Sequence, residues 1–462
     1  MRTVVVTADF SRKTTEKIKP LHGVNNSPLS LYEPPPGFRE AGIPFCRLHD
    51  AAGAYGGSHY VDIPNIFPDF DADPLDPSSY DFALTDAYLS QLHAAGTEIF
   101  YRLGTTIENN YRIKGYNNHP PADFSKWAEI CAGVIRHYNE GWANGFRFGI
   151  RYWEIWNEPE NPPMWSGTRE QFFELYRIAA IRLKQEFPDI KIGGYASCGF
   201  YAVNRPGCTD FFKGFVTWFD EFLKFVTAEE TPIPLDFYSW HLYTADPYEI
   251  LLHSQYVKSK LDEYGLNHVE NIFNEWNYLT DDLKRRYWEM KDNEGASFVA
   301  ASFCLMQNSP IDKAMYYDAY PQRAYCGLYQ FPGPVTTHTY TAFCMWNTLY
   351  RLGECRKAQS NDKNIFVSAA ADLEKKGLLI VNFAPHGCRV KLKLPGIEIS
   401  GLEGRIIDKR HNNTPFIPAE EFSMPPYSVL LLSSPNLTED TIQQTSSKHI
   451  IHAGLDDRSQ ES

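Results

Sequence analysis

Between residues 20 and 352, short apolar runs alternate with longer segments in which apolar positions recur every three or four residues. Runs rich in β-branched and aromatic residues are typical of buried strands, and the longer spacing is typical of helices that pack on one face. The pattern predicts strands at Leu21–Asn25, Phe45–His49, Glu98–Gly104, Arg151–Trp156, Lys191–Tyr195, Leu235–Tyr243, Asn271–Trp276 and Ala314–Ala319. It predicts helices near Phe38 and at Tyr80–Ala95, Phe124–Asn139, Arg169–Phe187, Asp210–Val226, Pro247–Tyr264, Ala296–Asn308 and Tyr340–Leu352.

A series of strands that are each followed by a helix favours an α/β fold with a closed (β/α)8 TIM barrel, which we place at residues 15–352. The competing architecture is an open doubly wound sheet. Such sheets carry a glycine-rich phosphate loop after the first strand when they bind dinucleotides, and no such loop follows Leu21–Asn25. The order of the elements therefore predicts the barrel.

The rhythm changes after Gly353, where short strand-like runs follow one another without a helical segment. This pattern is typical of a small β-sandwich, which we predict at residues 353–434. The apolar run Thr3–Thr7 can join it because chain termini often lie close together, so residues 1–14 are assigned to the same accessory domain. From Pro435 the composition is polar, which predicts a mobile tail over residues 435–462.

Composition narrows the classes of function. The 462 residues carry a net charge of −13 without a long basic run, which argues against a nucleic-acid partner. Aromatic residues make up 15% of the chain, and sugar-binding clefts use such side chains to stack against rings. Nine cysteines are scattered without Cys-x-x-Cys spacing, which predicts free thiols in a reducing compartment.

Targeting and metal motifs also bear on function. The N-terminal segment MRTVVVTADFSRK lacks the long apolar stretch of a secretory signal, and no segment approaches a transmembrane span. We therefore expect a cytoplasmic protein without a membrane partner. The chain has neither a His-x-His pair at the first strand nor a His-Glu-x-x-His helix, so we expect no metal and no cofactor. The sequence leaves the oligomeric state open, a homo-oligomer included.

The first candidate for chemistry is Glu158, in the segment RYWEIWNEPENPP that begins at Arg151. The strand pattern breaks at Asn157, and proline cannot continue a central strand, so Glu158 is expected where a strand ends and a loop opens. Aromatic side chains close by in sequence lower the local dielectric and favour a protonated carboxyl group. A protonated carboxyl group suits a general acid. The alternative is a loop glutamate in water.

The second candidate is Glu275, in Asn274-Glu275-Trp276-Asn277 after the apolar run that ends at Phe273. It lies three predicted strands after Glu158, so a closed ring places the two carboxylates across the same opening. Two facing carboxylates in unlike environments form the arrangement of a glycosidase. The alternative is a salt bridge at the rim of the barrel.

These residues resemble a known group of enzymes. Trp156-Asn157-Glu158-Pro159, together with a later glutamate at a strand end, resembles the large clan of retaining glycoside hydrolases built on (β/α)8 barrels. Within this clan the chain resembles glycoside hydrolase family 39, the β-xylosidase and α-L-iduronidase family, over about residues 20–435. Further matching segments are Leu21–Asn25, Pro120–Phe124, Trp127, His137-Tyr138, Gly193-Gly194, Trp240–Tyr243 and Phe273–Trp276.

The resemblance implies a role for each matching residue. Glu158 corresponds to the acid/base, Glu275 to the nucleophile, and Asn157 to the asparagine that hydrogen-bonds the sugar 2-hydroxyl. Arg47 corresponds to an arginine that keeps the nucleophile ionised, since a nearby cation lowers the pKa of a carboxyl group. The residues that resemble sugar-hydroxyl ligands are His49, His241 and Tyr243, with Asp318 as a further candidate. The histidines could equally be structural, and Arg47 could only bridge neighbouring strands.

The family resemblance implies a retaining hydrolase of short oligosaccharides. We expect an exo-acting β-xylosidase-like enzyme, with β-galactosidase, α-L-arabinosidase and α-L-iduronidase specificities as alternatives. The long loops 50–77 and 103–119 depart from the xylosidase pattern and are expected to shape the sugar site. Two other classes are a non-catalytic carbohydrate-binding barrel and a metal-dependent barrel hydrolase.

Overall fold

A computed structural model of the chain describes residues 2–28, 37–51, 61–106, 118–162, 164–228, 232–282, 285–331 and 335–437. The strands are β1 (Arg2–Lys17), β2 (Gly23–Asn25), β3 (Phe45–Leu48), β4 (Glu98–Leu103), β5 (Tyr152–Ile155), β6 (Lys191–Ser197), β7 (Phe237–Thr244), β8 (Glu270–Tyr278), β9 (Lys313–Tyr316), β10 (Glu354–Ser360), β11 (Ile365–Ala371), β12 (Lys376–Asn382), β13 (Cys388–Lys393), β14 (Glu403–Ile407), β15 (Thr414–Phe416), β16 (Glu421–Met424) and β17 (Ser428–Ser433). The helices are α1 (Ile63–Ile66), α2 (Ala83–Ala94), α3 (Phe124–Asn139), α4 (Arg169–Glu186), α5 (Asp210–Thr227), α6 (Pro247–Glu263), α7 (Arg286–Glu289), α8 (Asn293–Gln307) and α9 (His338–Leu352).

Strands β2 to β9 form a closed parallel barrel in chain order, which confirms the predicted (β/α)8 fold. The ring closes where β2 pairs with β9. An apolar layer fills the interior near the N-terminal ends of the strands, made of Phe45, Phe100, Tyr152, Phe237, Ile272 and Met315. Because side chains alternate along a strand, the residues two positions further on also face inward. In β3 and β5 these residues are Arg47 and Glu154, so a polar layer lies above the apolar one.

Polar side chains cap the helices α3, α4, α6, α8 and α9. Helix α4 begins with a capping box: Thr168 accepts from the backbone of Gln171, and the Gln171 side chain accepts from the backbone of Thr168. Asp123 caps α3 in the same manner. Such a cap stabilises a helix by about 1 kcal/mol. In α5 the ring of Phe219 stacks on Tyr238 of β7 with the centroids 4.3 Å apart, which fixes this helix on the barrel.

The accessory unit is all-β, as predicted, and its nine strands form one curled sheet in the order β15-β14-β17-β12-β11-β10-β1-β13-β16. Both faces of the sheet are buried at β12 and β17, whereas β13 alternates buried and exposed positions. In β12, Leu378 and Ile380 belong to a core inside the curl, whereas Leu379 and Val381 belong to the main core that includes α8 and α9. This period-two alternation explains the short apolar runs of the C-terminal region.

The structure differs from the sequence prediction at several places. The helix predicted near Phe38 is wrong, because residues 37–42 form turns, with Gly37 and Gly42 in the left-handed region. Two short helices, α1 and α7, were not predicted. The N-terminal strand is longer than Thr3–Thr7, since β1 pairs with both β10 and β13. The tail prediction concerns residues 435–462, of which 438–462 lie outside the described residues.

The structure bears on the state of the cysteines and on whether a helix could span a membrane. All nine cysteines lie in the described part of the chain and are free thiols, as predicted, while the reducing compartment stays a prediction. Among the described helices, none has the length and apolar character that crossing a bilayer demands.

Candidate active site

Glu158 lies on a strained turn that follows β5. Trp156 and Glu158 have φ values of 70° and 48°, in the left-handed region that non-glycine residues seldom adopt. The turn is held by backbone hydrogen bonds from Trp156 to Leu103 (2.7 Å) and from Glu158 to Ala196 (3.0 Å). Strain of about 1–3 kcal/mol per residue is typical of functional sites, where the surroundings impose the conformation. The turn places the Glu158 side chain at the C-terminal mouth of the barrel.

Glu275 lies in β8 at a break in the strand register. The pairing of β7 with β8 shifts between Trp240 and His241, and the pairing of β8 with β9 shifts between Phe273 and Trp276. Such irregularities re-aim a side chain next to active sites. Here the break brings Glu275 level with His241 of β7, inside the barrel.

Strand β7 supplies three inward-facing side chains at alternate positions. Ser239 donates to Glu154 Oε1 (2.6 Å), and Tyr243 donates to Glu275 Oε1 (2.7 Å). Between them, His241 is fully buried: its Nδ1 lies 2.7 Å from Glu158 Oε1 and its Nε2 lies 3.7 Å from Glu275 Oε2. Carboxylate oxygens of both glutamates and a ring nitrogen of His241 all lie within 4.8 Å of one another.

Arg47 is fully buried and connects four side chains beneath the site. Its Nε donates to Glu154 Oε2 (2.7 Å), and its Nη1 donates to Glu275 Oε2 (3.1 Å) and to Asn25 Oδ1 (3.0 Å). Its Nη2 donates to Asn157 Oδ1 (2.6 Å). The planar guanidinium thus sets the orientation of both Glu275 and Asn157.

The two carboxyl groups have pKa values displaced in opposite directions. Two buried carboxylates this close repel each other when both are ionised, so one pKa rises. Burial raises the pKa of Glu275, and the charge of Glu158 adds to this, although His241, Arg47 and Tyr243 favour the ionised form. Burial also raises the pKa of Glu158, but the hydrogen bond and charge of His241 outweigh it, so this pKa lies below its ordinary value. Both directions are opposite to those expected from the sequence, because burial acts on both groups while His241 hydrogen-bonds Glu158 and only approaches Glu275.

Replacing Tyr243 by phenylalanine removes the hydrogen bond to Glu275 and little else. A hydrogen bond to a charged group contributes about 1.5–3 kcal/mol, so we expect kcat/KM to fall roughly 10-fold or more at neutral pH. The hydrogen bond favours the ionised carboxylate, so its loss raises the pKa of Glu275 further, and the acidic limb of the kcat/KM profile moves to higher pH. Tyr248→Phe is the matched control, since Tyr248 donates to the Lys363 carbonyl at the surface. If the acidic limb of the kcat/KM profile were unchanged in Tyr243→Phe, the hydrogen bond from Tyr243 would not control the ionisation of Glu275.

The cluster of two glutamates and one histidine at the mouth of the barrel is also a candidate metal site. Within the described residues, one cluster of three His, Cys, Asp or Glu side chains could hold such an ion, and it is Glu158, His241 and Glu275. The Arg47 guanidinium already pairs with Glu275, and its positive charge disfavours a second cation there. The arrangement is suited to proton transfer and nucleophilic attack.

The remaining predicted residues lie around this centre. His49 follows β3, with its Nε2 3.5 Å from Asp50 Oδ2, and its ring lies beside Tyr317. Asp318 is buried and accepts from Gln322 Nε2 (2.8 Å), and burial raises its pKa well above the ordinary value. The hydrogen bond between Asp318 and Gln322 therefore stabilises the loop that follows β9. Sugar contacts by the predicted ligands stay predictions; these residues are Asn157, His49, His241, Tyr243 and Asp318.

Sequence reasoning missed two glutamates near the site. Glu154 is fully buried in β5 and shares Arg47 with Glu275. The sequence feature that could have revealed Glu154 is a charged residue inside an otherwise apolar strand, two positions after the inward-facing Tyr152. Glu160 lies two residues after Glu158, where the proline-rich segment gave no sign that its side chain turns back toward β6.

Comparison with known proteins gives the chain a family context. The model of "Glycosyl hydrolases family 39" matches residues 67–296, a range that contains Glu158, His241, Tyr243 and Glu275. A β-xylosidase of Geobacillus stearothermophilus is 33% identical over 135 residues, which are 28% of this chain and 22% of that protein. The chain thus spans less than a quarter of the length of this curated relative.

Solved structures share the whole architecture. A glucosidase from Croceicoccus marinus superposes with a TM-score of 0.74 at 20% identity, covering 94% of this chain and 98% of the other. A family 39 β-xylosidase from Caulobacter crescentus superposes with a TM-score of 0.67 at 16% identity, covering 93% and 99%. At these identities the likeness establishes a common fold.

Proposed function

We propose that this chain, whose residues 67–296 match the model of glycosyl hydrolases family 39, is a glycoside hydrolase that cleaves O-glycosidic bonds with retention of configuration. The observation that carries the proposal is the approach of Glu158 and Glu275, whose carboxylate oxygens lie within 4.8 Å of each other at the mouth of the barrel. Retaining glycosidases hold their two carboxyl groups about 5–5.5 Å apart, whereas inverting ones leave about 6.5–9.5 Å for a water molecule. The short separation supports the retaining mechanism.

In the first step, Glu275 attacks the anomeric carbon while Glu158 protonates the leaving oxygen. Arg47 and Tyr243 hold the two oxygens of Glu275 and favour its ionised form, which is the nucleophile. Asn157 is oriented by Arg47 through Oδ1, so its amide NH2 group is left to donate to the sugar 2-hydroxyl. Such contacts strengthen at the oxocarbenium-like transition state.

His241 contacts both carboxyl groups. Its Nδ1 lies 2.7 Å from Glu158 Oε1, and its Nε2 lies 3.7 Å from Glu275 Oε2. Burial and the charge of Glu158 raise the pKa of Glu275, whereas the hydrogen bond of His241 favours the ionised form of Glu158. A proton that passes through His241 from Glu275 to Glu158 leaves an ionised nucleophile and a protonated acid with no change in net charge.

In the second step, Glu158 acts as a base. After the leaving group departs, Glu158 is ionised and removes a proton from the water that attacks the covalent glycosyl-enzyme, which releases Glu275. Asn161 Nδ2 donates to Glu158 Oε2 (3.3 Å) and favours the ionised form, and His241 Nδ1 lies 2.7 Å from Glu158 Oε1. The same residue thus serves as acid and then as base.

For the substrate we propose a neutral sugar at the non-reducing end of a short oligosaccharide, with β-xylose as first choice. The relative from Geobacillus stearothermophilus is a β-xylosidase, and the net charge of −13 disfavours a uronate-rich polymer. The proposed exo action depends on the loops 50–77 and 103–119. Residues 52–60 and 107–117 of these loops lie outside the described residues.

One experiment tests both mechanism and substrate. Purified protein is assayed with aryl β-xyloside, β-glucoside, β-galactoside, α-L-arabinoside and α-L-iduronide, and the first product is followed by proton NMR. We expect the highest kcat/KM with the β-xyloside, a first product of β configuration, and release of single xylose units from a xylo-oligosaccharide ladder.

Three results would contradict parts of this proposal. A first product of α configuration from the β-xyloside would exclude retention. A preference for the iduronide, or release of internal fragments from the ladder, would exclude the proposed substrate and leave the two-glutamate mechanism intact. Absence of turnover with every member of the panel would favour a non-catalytic carbohydrate-binding barrel.

A further inference from the structure

Glu160 makes two hydrogen bonds that connect the loop of Glu158 to the end of β6. Its Oε1 accepts from the Ser197 hydroxyl (2.8 Å) and from the backbone N–H of Cys198 (2.7 Å). The backbone N–H of Glu158 itself donates to the Ala196 carbonyl (3.0 Å). Glu158 is therefore held to the end of β6 at its own backbone and again two residues later.

The second oxygen of Glu160 is in a different situation. Among the described residues, Oε2 is a buried atom with no hydrogen-bond partner. An ionised carboxylate would leave half of its charge in this position without solvation, which is costly. A protonated carboxyl group keeps Oε1 as an acceptor for both donors, and its buried side carries no net charge.

The groups that face Glu160 reinforce this preference. They are Glu158, Cys198, Tyr195 and Tyr238, all of them acids that become negative when they ionise. Burial raises the pKa of Glu160 to about 8, and the charge of Glu158 contributes in the same direction. At neutral pH the side chain is therefore mainly in its neutral form.

We propose that Glu160 is a positioning residue that fixes Glu158 against the end of β6 without placing a second negative charge beside it. This inference rests on the proposed function, in which Glu158 must reach the leaving oxygen as an acid. A carboxylate in place of the neutral group would repel the ionised Glu158 that the second step requires. An apolar residue would leave the Ser197 hydroxyl and the Cys198 N–H without their acceptor.

The test compares Glu160→Ala with Glu160→Gln, on a β-xyloside that has a good leaving group, such as 2,4-dinitrophenol, and on xylobiose. In Glu160→Ala, we expect kcat/KM for xylobiose to fall roughly 10- to 100-fold, because a misplaced acid loses much of its effect. The dinitrophenyl xyloside, which needs little protonation, should change by less than about 3-fold. Glu160→Gln keeps a neutral acceptor and should restore wild-type values with both substrates.

Two results would overturn the proposal. Equal losses with both substrates in Glu160→Ala would show a general structural role, and Glu160→Gln as impaired as Glu160→Ala would show that a charge is needed. Carbon-13 NMR of protein labelled at the glutamate carboxyl groups gives a readout that does not depend on turnover. The resonance absent from Glu160→Gln should titrate near pH 8, and ionisation in the ordinary range of glutamate would refute the neutral form. A wild-type protein without turnover would refute the proposed function, while the titration still decides the state of Glu160.

Discussion

Replacing Glu275 by alanine is expected to lower kcat on every glycoside by a factor on the order of 10⁴ to 10⁶, as with loss of a nucleophile in other enzymes. Without the carboxylate, no covalent glycosyl-enzyme can form. The loss should be independent of the leaving group, since attack on the anomeric carbon is required whatever departs. Azide can occupy the space of the missing carboxylate and attack directly. We therefore expect an α-glycosyl azide from a β-glycoside, which proton NMR identifies.

The matched control for this variant is Glu263→Ala. Glu263 lies at the end of α6, exposed and paired with Lys260, so its removal should leave kcat unchanged. Circular dichroism and thermal unfolding of both variants check that the barrel is intact. If Glu275→Ala gave a β-configured azide, or kept more than a small fraction of the wild-type rate, Glu275 would not be the nucleophile.

Replacing Glu158 by alanine is expected to produce a loss that depends on the leaving group. For xylobiose, kcat/KM should fall by about 10² to 10⁴, the usual contribution of a positioned acid. For a dinitrophenyl xyloside the first step should be nearly unaffected, because the departing phenolate is already stable. The second step then lacks its base, so a burst of dinitrophenol is expected before a slow steady state. Azide should accelerate that steady state and yield a β-glycosyl azide.

Glu398→Ala provides the control for Glu158→Ala. Glu398 is exposed in the accessory unit and has no place in the proposed mechanism. A similar loss with xylobiose and with the dinitrophenyl xyloside would argue against an acid/base role for Glu158. Rescue by azide with an inverted product would exchange the roles of the two glutamates.

The fold was predictable because the sequence patterns that indicate its strands and helices are local. Strand and helix periods recur within each segment of the chain, so the barrel strands could be located to within a few residues. The failures occurred where pairing partners, rather than periodicity, decide the structure. Polar positions in β1 extend beyond Thr3–Thr7, yet they are strand because they pair with β10 as far as Lys17.

The candidate site was predictable in its residues and only partly in its contacts. A glutamate where a strand pattern breaks is visible in the sequence, and the number of strands between Glu158 and Glu275 places them across one opening. Arg47 was expected beside the nucleophile, and it donates to Glu275. The protonation preferences were not predictable, because His241 lies between the two carboxylates and hydrogen-bonds only Glu158.

The sequence by itself determined the order of strands and helices and the type of residue at each strand end. Both follow from the short-range periods of strand and helix, which act within a few residues of chain. Only the tertiary structure decided which groups share protons. Glu158 meets His241 across 83 residues, and Glu160 meets Ser197 across 37. These contacts exist because the closed ring brings the ends of different strands within hydrogen-bond distance. A sequence pattern confined to one segment does not contain that distance.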